Sequence, residues 1–274
     1  MESTEGVFMT SKEWHEIDTA VRIVKKSTCS IFDTLVEAGC GITDTDSIKD
    51  AVYTIDGEVY PLPYIHRDFS IDFPTLKKSR EDKQNIDTTT VQTIAFMVIQ
   101  AVEKLFLGLW EVSDFGDMSL YGMCNHPNRI TCPIAPPYLE GGSKLNLTWS
   151  ISHFEKELKA CVARLLEAGF TGPFLCILSE DWKRAGVNPQ QVTSSLVKKT
   201  LISELLPEGT VVLVEMRPET ILAFCGLDLT TIQWSSQAGH DVESPREIVF
   251  KVLACMLPLI RADHCGILHA SAVL

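Results

Sequence analysis

The stretch Ile86–Leu109, IDTTTVQTIAFMVIQAVEKLFLGL, contains the longest segment of the chain with a helical repeat of apolar residues. Thr89 and Gln92 have the spacing of a capping box, which predicts that a helix begins here. Apolar residues then recur at helical spacing until Gly108: Val91, Ile94, Ala95, Val98, Val102, Leu105 and Leu109, widened by Phe96, Met97, Ile99 and Phe106. A helix that is apolar beyond one face has to be covered. The stretch therefore predicts a central helix that packs under a sheet or against neighbouring chains.

The composition of the 274-residue chain is that of a globular protein with a substantial core. Hydrophobic residues make up 45% and charged residues 22%, so neither disorder nor a fibrous repeat is indicated. The 36 acidic residues outnumber the 24 basic ones, which gives a formal net charge of -12. A free-standing nucleic-acid-binding protein usually presents a basic face, and this charge argues against that class.

The nine cysteines are scattered without the short spacings of a metal site or a disulfide framework. Several lie inside apolar runs, which predicts reduced, mostly buried thiols in a cytosolic protein. The opening residues, MESTEGVFMTSKEW, lack the basic and then apolar pattern of a signal peptide, and no uncharged apolar run approaches the length of a membrane span. We therefore expect a soluble protein that is not exported by a cleaved signal.

An amphipathic helix is predicted near the N-terminus, with Ser11 as its cap. Trp14, Ile17, Val21 and Val24 follow at helical spacing and form one apolar face. Two interpretations of this face are open. It packs on the helix's own domain, or it docks on a neighbouring subunit or partner.

A protruding β-hairpin is predicted within Ala51–Tyr60. Two short β-prone segments flank the dipeptide Asp56-Gly57 there, and this dipeptide is a strong signal for a two-residue hairpin turn. A hairpin alone is marginally stable, so we expect it to need a partner surface.

The next segment, Pro63–Phe73, alternates between apolar and polar residues and predicts a strand with one wet face. The apolar positions are Ile65, Phe69, Ile71 and Phe73, and the polar positions are His66, Asp68, Ser70 and Asp72. Together with Arg67, the polar residues could be acid–base groups. On a wet strand face they are more readily explained as cross-strand or intersubunit ion pairs.

The remaining elements alternate irregularly, which favours an α+β fold over a doubly wound sheet. Leu76–Asn85 is predicted as a charged, solvated connector. Ser152 and Glu155 predict a capped helix that Gly169 ends. A further helix is predicted at Gln190–Leu206, and strands are predicted at Phe174–Leu178, Val211–Glu215, Thr220–Cys225, Thr230–Trp234 and Ile248–Met256.

The stretch LYGMCNHPNRI, Leu120–Ile130, places Cys124 and His126 two residues apart and raises the question of a metal or nucleophile site. Neither this pair nor His264 with Cys265 is accompanied by a second pair at ligand spacing. The chain also lacks a phosphate loop, a nucleophile elbow and a zinc-helix motif. We therefore predict no catalytic, metal or cofactor site. Asn-His-Pro-Asn is turn chemistry, since Pro127 fixes its own φ and restrains His126, so a rigid turn is predicted.

Six motifs occur in an order that resembles one family. They are T-x-x-x-W-x-x-I-D (Thr10, Trp14, Ile17 and Asp18), the hairpin, P-x-x-x-x-D-F (Pro63–Phe69), the helix Ile86–Leu109, Y-G-x-x-N-H-P (Tyr121–Pro127) and A-G-F-x-G-P (Ala168–Pro173). In this order, over Thr10–Trp182, the chain resembles the tailed-phage major capsid proteins and their relatives, the encapsulins. The N-terminal helix looks more like the encapsulin arm, and Y-G-x-x-N-H-P looks more like the phage proteins.

The resemblance implies the fold of these shell proteins and a division of the chain. The implied parts are an N-terminal arm (1–49), an extended hairpin loop with the strand after it (50–75), a peripheral domain (76–119 and 231–274) built on a spine helix (87–109), and an axial domain (120–230). The axial loops would meet at symmetry axes of a shell.

The resemblance also implies which residues contact other subunits. The hairpin and its following strand would contribute Tyr53, Asp56, Gly57, Glu58, Tyr60, His66, Arg67 and Asp68. The axial loop would contribute Tyr121, Gly122, Asn125, His126 and Pro127, and the arm Trp14, Ile17 and Val21. Some phage relatives join a loop lysine to a neighbour's asparagine, but the expected tip, Tyr53–Tyr60, contains no lysine, so a non-covalent shell is implied.

The function implied is that of a non-enzymatic shell protein whose main partner is itself. The first hypothesis is the major capsid protein of a tailed phage or prophage, which encloses nucleic acid in a virion assembled in the host cytoplasm. The second is an encapsulin, a cytoplasmic nanocompartment that holds a cargo enzyme through its targeting peptide. A third, from another class, is a small cytosolic enzyme that uses Cys124 or His126. No cofactor and no membrane is implied by the first two.

Overall fold

The structure is a computed structural model. It describes residues 9–28, 31–37, 39, 41–43, 52–55, 58–61, 64–110, 121–134, 151–184, 186–192, 195–217, 221–234, 247–260 and 266–272. The chain divides into two compact units. The first comprises Met1–Ser30, Asp44–Val102 and Cys225–Met256, and the second Ile31–Thr43, Glu103–Phe224 and Leu257–Leu274.

Helices and strands are mixed without a regular βα alternation, so the architecture is α+β, as predicted. The described helices are α1 (Ser11–Ser27), α2 (Ile31–Glu37), α3 (Phe73–Asp82), α4 (Thr89–Leu107), α5 (Ile151–Glu167) and α6 (Glu180–Arg184), with a 3-10 turn at Pro189–Gln191. The described strands are β1 (Gly41–Thr43), β2 (Val52–Ile55), β3 (Glu58–Pro61), β4 (Tyr64–Asp72), β5 (Ile130–Ile134), β6 (Phe174–Ser179), β7 (Val197–Ser203), β8 (Val211–Glu215), β9 (Ile221–Trp234), β10 (Glu247–Ile260) and β11 (Ile267–Ala272).

In the first unit, β9, β10 and β4 lie side by side in that order. β4 pairs antiparallel with β10 along its whole length. The apolar residues Ile65, Phe69 and Ile71 are buried and the polar residues of β4 are exposed, which confirms the predicted strand with one wet face. Phe69 stacks on Phe250 of β10 with 5.0 Å between ring centroids, so the apolar face of β4 is part of the core of this unit.

The predicted hairpin is confirmed by the pairing of β2 with β3. Tyr53 lies opposite Tyr60 and Ile55 lies opposite Glu58, which leaves two residues for the turn. Those residues, Asp56 and Gly57, lie outside the described part of the chain. The hairpin forms a two-stranded sheet of its own.

The second unit is built on a five-stranded sheet with the order β5-β11-β8-β6-β7. Every position of β6 and β8 is buried, which explains why FLCILS and VVLVE are almost continuously apolar. α5 packs on β5 and β11. Its inward residues Phe154, Leu158, Cys161 and Leu165 join the core, and Phe154 lies 5.0 Å from the Trp182 ring.

The predicted connector Leu76–Asn85 was wrong, since most of it belongs to α3. The carboxylate of Asp72 caps this helix by accepting the Thr75 N–H at 2.7 Å, and a proline follows in the first turn. Leu76 is 1% exposed. The charged residues that suggested a connector cover the outer face of a short helix with one buried anchor.

The predicted helix Gln190–Leu206 was also wrong. The segment forms the 3-10 turn and then β7, which pairs parallel with β6. Leu201 and Ile202 are only partly buried in β7, which lies at the edge of the described sheet. Its pairing with a fully buried strand outweighs the weak helical pattern of the sequence. The two strands predicted between Thr220 and Trp234 form one long strand, β9.

Two predicted capping boxes were misplaced by a residue or two. α5 begins at Ile151, before the predicted cap Ser152. α4 begins at Thr89 itself, and the Thr89 N–H donates to the Asp87 carboxylate at 2.9 Å. The predicted stop at Gly169 is confirmed, since this residue follows α5 with a φ of +95°.

By length and composition alone, α4 could span a membrane. Its apolar stripe of Val91, Ala95, Val98 and Val102 is buried within the chain. This burial is the behaviour of a core helix of a globular protein.

Candidate subunit interfaces

α1 begins with a capping box at Thr10. The Thr10 hydroxyl accepts the Glu13 N–H at 3.3 Å, and the Glu13 carboxylate accepts the Thr10 N–H at 2.6 Å. The predicted cap, Ser11, is instead the first helical residue. Thr10 is preferred because the glutamate three residues after it completes the reciprocal pair.

The same glutamate ties α1 to the rest of the first unit. Arg80 Nε lies 2.7 Å from Glu13 Oε1, and Arg80 Nη2 lies 2.9 Å from Oε2, so the guanidinium binds both carboxylate oxygens. The hydrogen bond from Arg80 lowers the pKa of Glu13 below its ordinary value, against the effect of burial. One turn later, Glu16 accepts the Ile86 N–H at 2.9 Å. α1 is therefore held to the end of α3 and to the residues that lead into α4.

The predicted arm contacts Trp14, Ile17 and Val21 lie on this docked face of α1. Trp14 meets Phe250 edge to face at 5.5 Å. Ile17 is 0% and Val21 2% exposed. In the structure this face of α1 therefore packs on the helix's own unit, with Ile17 and Val21 fully covered and Trp14 partly exposed.

Replacing Glu13 with alanine is expected to lower the free energy of unfolding by about 2–3 kcal/mol, because it removes the reciprocal cap and the two-point salt bridge with Arg80. Thermal unfolding at fixed protein concentration measures the effect. Since the pKa of folded Glu13 lies below its unfolded value, the contribution is present above the unfolded pKa and is lost as the pH falls through the folded pKa. Lys12→Ala, which removes the exposed lysine that lies 3.5 Å from Glu16, is the control and should cost about 0.5 kcal/mol or less. Equal losses in both variants would contradict the assignment.

The predicted contact residues His66, Arg67 and Asp68 are exposed on β4. Asp68 lies 3.6 Å from the ammonium of Lys251, its register partner on β10, and 3.2 Å from His66 Nδ1. The cross-strand interpretation of this group is therefore confirmed for Asp68. Within the described residues no strand pairs with the other edge of β4, and that edge remains open for an intersubunit contact.

The turn Tyr121–Pro127 is held by hydrogen bonds within itself. The Asn125 side-chain oxygen accepts the Gly122 N–H at 2.7 Å. The His126 N–H donates to the Gly122 carbonyl at 3.1 Å. Tyr121 is 42% exposed, and its ring meets the buried His126 ring at 5.7 Å, edge to face. These contacts confirm the predicted rigid turn.

The turn is also fixed to the C-terminal end of α4. Met123 and Cys124 donate their N–H groups to the carbonyls of Phe106 and Leu107 at 3.0 and 2.8 Å. Gly108 ends the helix with a φ of +73° and lies against Gly122. The sequence motif Y-G-x-x-N-H-P therefore packs on the last turn of α4.

His126 and Arg129 form the buried side of the turn. His126 Nδ1 accepts the Asn128 N–H at 3.2 Å, so the neutral ring carries its proton on Nε2. Arg129 donates from Nη1 to the His126 carbonyl at 2.8 Å. Burial and, to a lesser degree, the charge of Arg129 lower the pKa of His126, and the same two causes lower the pKa of His269 on β11.

Cys124 is buried, and desolvation raises the pKa of its thiol to about 12. A nucleophilic cysteine needs the opposite shift and an accessible sulfur. His264 and Cys265 lie outside the described residues. Among the residues that are described, no cluster of potential ligands could hold a metal ion. The local geometry therefore gives Cys124 and His126 a structural use.

We expect Cys124 in the folded protein to resist a thiolate-selective reagent at about pH 8, since almost none of a thiol with so high a pKa is ionised there. Alkylation followed by peptide mass spectrometry measures the labelled fraction, and the unfolded protein, in which Cys124 should be labelled fully, is the control. Rapid labelling of the native thiol would reopen the enzyme hypothesis.

The motif A-G-F-x-G-P owes its form to Glu215 at the end of β8. This side chain is 1% exposed and accepts the N–H groups of Thr171 and Gly172, both at 3.0 Å. Arg217 Nε lies 3.2 Å from the same carboxylate oxygen. The motif thus records a turn held by a buried carboxylate, and no chemistry is required to explain it.

Sequence reasoning did not identify several exposed apolar side chains as contact candidates. On α4, Phe96 is 41% and Met97 47% exposed. Trp110, 38% exposed, follows Gly108 by two residues. For α4 the sequence did indicate exposed apolar residues, because its apolar positions cover more than one face of the helix. For Trp110 the sequence contained no such indication.

Comparisons with known proteins give no match by sequence: no family model matches the chain, and no curated protein matches it. Solved structures do match. A virus-like particle from Pyrococcus furiosus is 13% identical, with 94% of this chain and 98% of that chain covered and a TM-score of 0.61.

Two further structures extend the comparison. The capsid of Myoviridae phage XM1 is 7% identical over 88% of this chain and 92% of that chain, with a TM-score of 0.55. The holo-SrpI encapsulin complex from Synechococcus elongatus PCC 7942 is 11% identical over 84% of each chain, with a TM-score of 0.50. At these identities the likeness concerns the fold.

Proposed function

We propose that this chain, which has the fold of the tailed-phage major capsid proteins and the encapsulins, is a structural subunit that assembles with many copies of itself into a closed icosahedral shell. The observation that carries the proposal is the extent of the match, 94% of this chain against 98% of a virus-like-particle subunit. The shared fold therefore extends over both compact units, and is not limited to a common subdomain.

The hairpin supports assembly on physical grounds. β2 and β3 pair only with each other among the described strands, and a two-stranded hairpin is marginally stable alone. Covering it with a neighbouring copy would supply the missing burial, and repeating such a heterologous contact around closed symmetry generates a shell. Tyr53, Asp56, Gly57, Glu58 and Tyr60 would make this contact.

Two further surfaces are proposed as contacts. The open edge of β4 would present His66 and Arg67 to a neighbour, beside the cross-strand pair of Asp68. The exposed Phe96 and Met97 on α4 would be covered by another subunit, since aromatic residues and methionine are enriched at interfaces.

The turn Tyr121–Pro127 is proposed as a contact near a symmetry axis, within an axial domain at 120–230. Its rigidity suits this role, because a preformed loop loses little conformational entropy on binding. The peripheral domain, 76–119 with 231–274, would be built on the spine helix. The segment 1–49 would be the N-terminal arm, with α1 packed on its own unit.

For the contents of the shell, nucleic acid is our first proposal, and the particle would be a virion capsid assembled in the host cytoplasm. The net charge of -12 is compatible with a container that does not bind nucleic acid tightly to its wall. The alternative is a cytoplasmic encapsulin that holds a cargo protein through a targeting peptide.

Negative-stain electron microscopy of the purified protein tests the proposal, with the ratio of absorbance at about 260 and 280 nm measured on the same fraction. Uniform closed particles are expected. A high ratio would identify nucleic acid as the content, and a protein-like ratio with a co-purifying second chain would favour the encapsulin. A protein that stays monomeric under all assembly conditions would refute the shell.

A further inference from the structure

The buried imidazole of His126 is held by a hydrogen bond that only its neutral form can make. Nδ1 accepts the Asn128 N–H at 3.2 Å, and the residue is 7% exposed. A protonated imidazole carries a hydrogen on both nitrogens and cannot accept. Protonation would therefore make Nδ1 a donor that faces the Asn128 N–H, which is also a donor, and the hydrogen bond between them would be lost.

Among the described residues, the charge that acts on this ring is the positive charge of Arg129. The Arg129 guanidinium donates a hydrogen bond from Nη1 to the carbonyl oxygen of His126 at 2.8 Å. Its Nε is buried without a hydrogen-bond partner, and no carboxylate of a described residue forms an ion pair with it. From β11, the half-buried His269 faces the same guanidinium. Protonation of His126 or His269 would thus add a positive charge beside one that no carboxylate of the described residues neutralises.

Two other titratable groups of the described residues lie in the turn itself. Tyr121 meets the ring edge to face. The Cys124 thiol is neutral, because burial raises its pKa to about 12. α4, which accepts the hydrogen bonds of the turn, carries Lys104 in its last turn and Glu103 directly before it, and the Glu103 carboxylate accepts the Ile31 N–H at 3.2 Å.

We propose that the turn Tyr121–Arg129 is an acid-sensitive latch, in which protonation of His126 breaks the bond to Asn128 and releases the ring and the turn from the end of α4. Neutral pH keeps the latch closed. Acid opens it, and the exposed Tyr121 and Pro127 leave their preset positions. We further infer that this opening weakens contacts between subunits, and this second step rests on the proposed function. The opening itself does not depend on it.

Hydrogen exchange of the full-length protein, followed by mass spectrometry on peptides that cover 121–130, tests the latch. After correction for the intrinsic pH dependence, protection of this segment should fall by up to about tenfold per pH unit between about pH 6.5 and about pH 5. His126→Asn places an oxygen acceptor where Nδ1 lies and cannot be protonated, so its protection should not vary over this range. His15→Asn, which changes an exposed histidine of α1, is the matched control and should behave as the wild type.

A wild-type protection that does not change with pH, or the same slope in His126→Asn, would overturn the latch. If His126→Asn does not fold, exchange of the imidazole C2 hydrogen in the wild type gives the titration of His126 directly, and a midpoint at or above about pH 6.5, the value of an unperturbed histidine, would also overturn it. Particle counts by microscopy at the two pH values report separately on assembly. Absence of shells at both values would count against the proposed function alone.

Discussion

Replacing Gly122 with alanine is expected to lower the melting temperature of the protein by about 10 °C or more, which corresponds to about 4 kcal/mol for a chain of this size. A Cβ at this position would lie 2.6 Å from both the Gly108 Cα and the Phe106 carbonyl oxygen. Both are backbone atoms at the end of α4, so neither can rotate away. The clash would push the whole turn from the helix and break the bonds that Met123 and Cys124 donate to it.

Gly169→Ala separates this clash from the general cost of losing a glycine. Gly169 has a φ of +95°, but a Cβ at this position would have nothing within 4 Å, so alanine there should cost only the conformational strain of about 1–2 kcal/mol. Circular dichroism melts at one protein concentration measure both variants, because assembly makes the melting temperature depend on concentration. Equal shifts in the two variants would show that the contact between Gly108 and Gly122 carries no special weight.

The elements that could be predicted from sequence are those whose signal is local. The hairpin followed from Asp-Gly between β-prone segments, and the wet face of β4 from its alternation. The prediction of a helix at Gln190–Leu206 failed because this segment forms β7 through its parallel pairing with the buried strand β6. Pairing between distant segments leaves no local pattern in the sequence. α3 was missed because a single buried residue, Leu76, gives no helical repeat to detect.

The candidate contacts also divide into those with a local sequence signal and those that depend on distant residues meeting. The rigid turn at Tyr121–Pro127 followed from Asn-His-Pro-Asn, whereas its attachment to the end of α4 needs two glycines that are 14 residues apart to touch. The bond between Glu13 and Arg80 joins residues 67 apart in the chain. The fold determines which of these distant residues come into contact, and a single sequence does not indicate which glycines or charged residues will do so.

Removing the hairpin, by replacing residues 52–61 with a short glycine–serine linker, is expected to abolish particles and leave a folded, soluble subunit. The two strands pair with each other and with no other described strand, so their loss should not disturb the sheets of either unit. If each copy loses contacts worth about 2–3 kcal/mol, every such contact weakens about 30- to 150-fold. A closed shell repeats the loss at each subunit, so its assembly should fail.

Size-exclusion chromatography with light scattering, together with negative-stain microscopy, measures the oligomeric state. A circular dichroism melt of the same sample shows whether the subunit has stayed folded. The double variant Tyr53→Ala with Tyr60→Ala keeps the chain length and removes the two tyrosines that lie opposite each other in register. It should reduce the particle yield and leave the rest of the subunit folded. Particles of normal size and number from the deletion variant would mean that the hairpin is dispensable. Assembly would then have to rest on the open edge of β4 and on Phe96 and Met97 of α4.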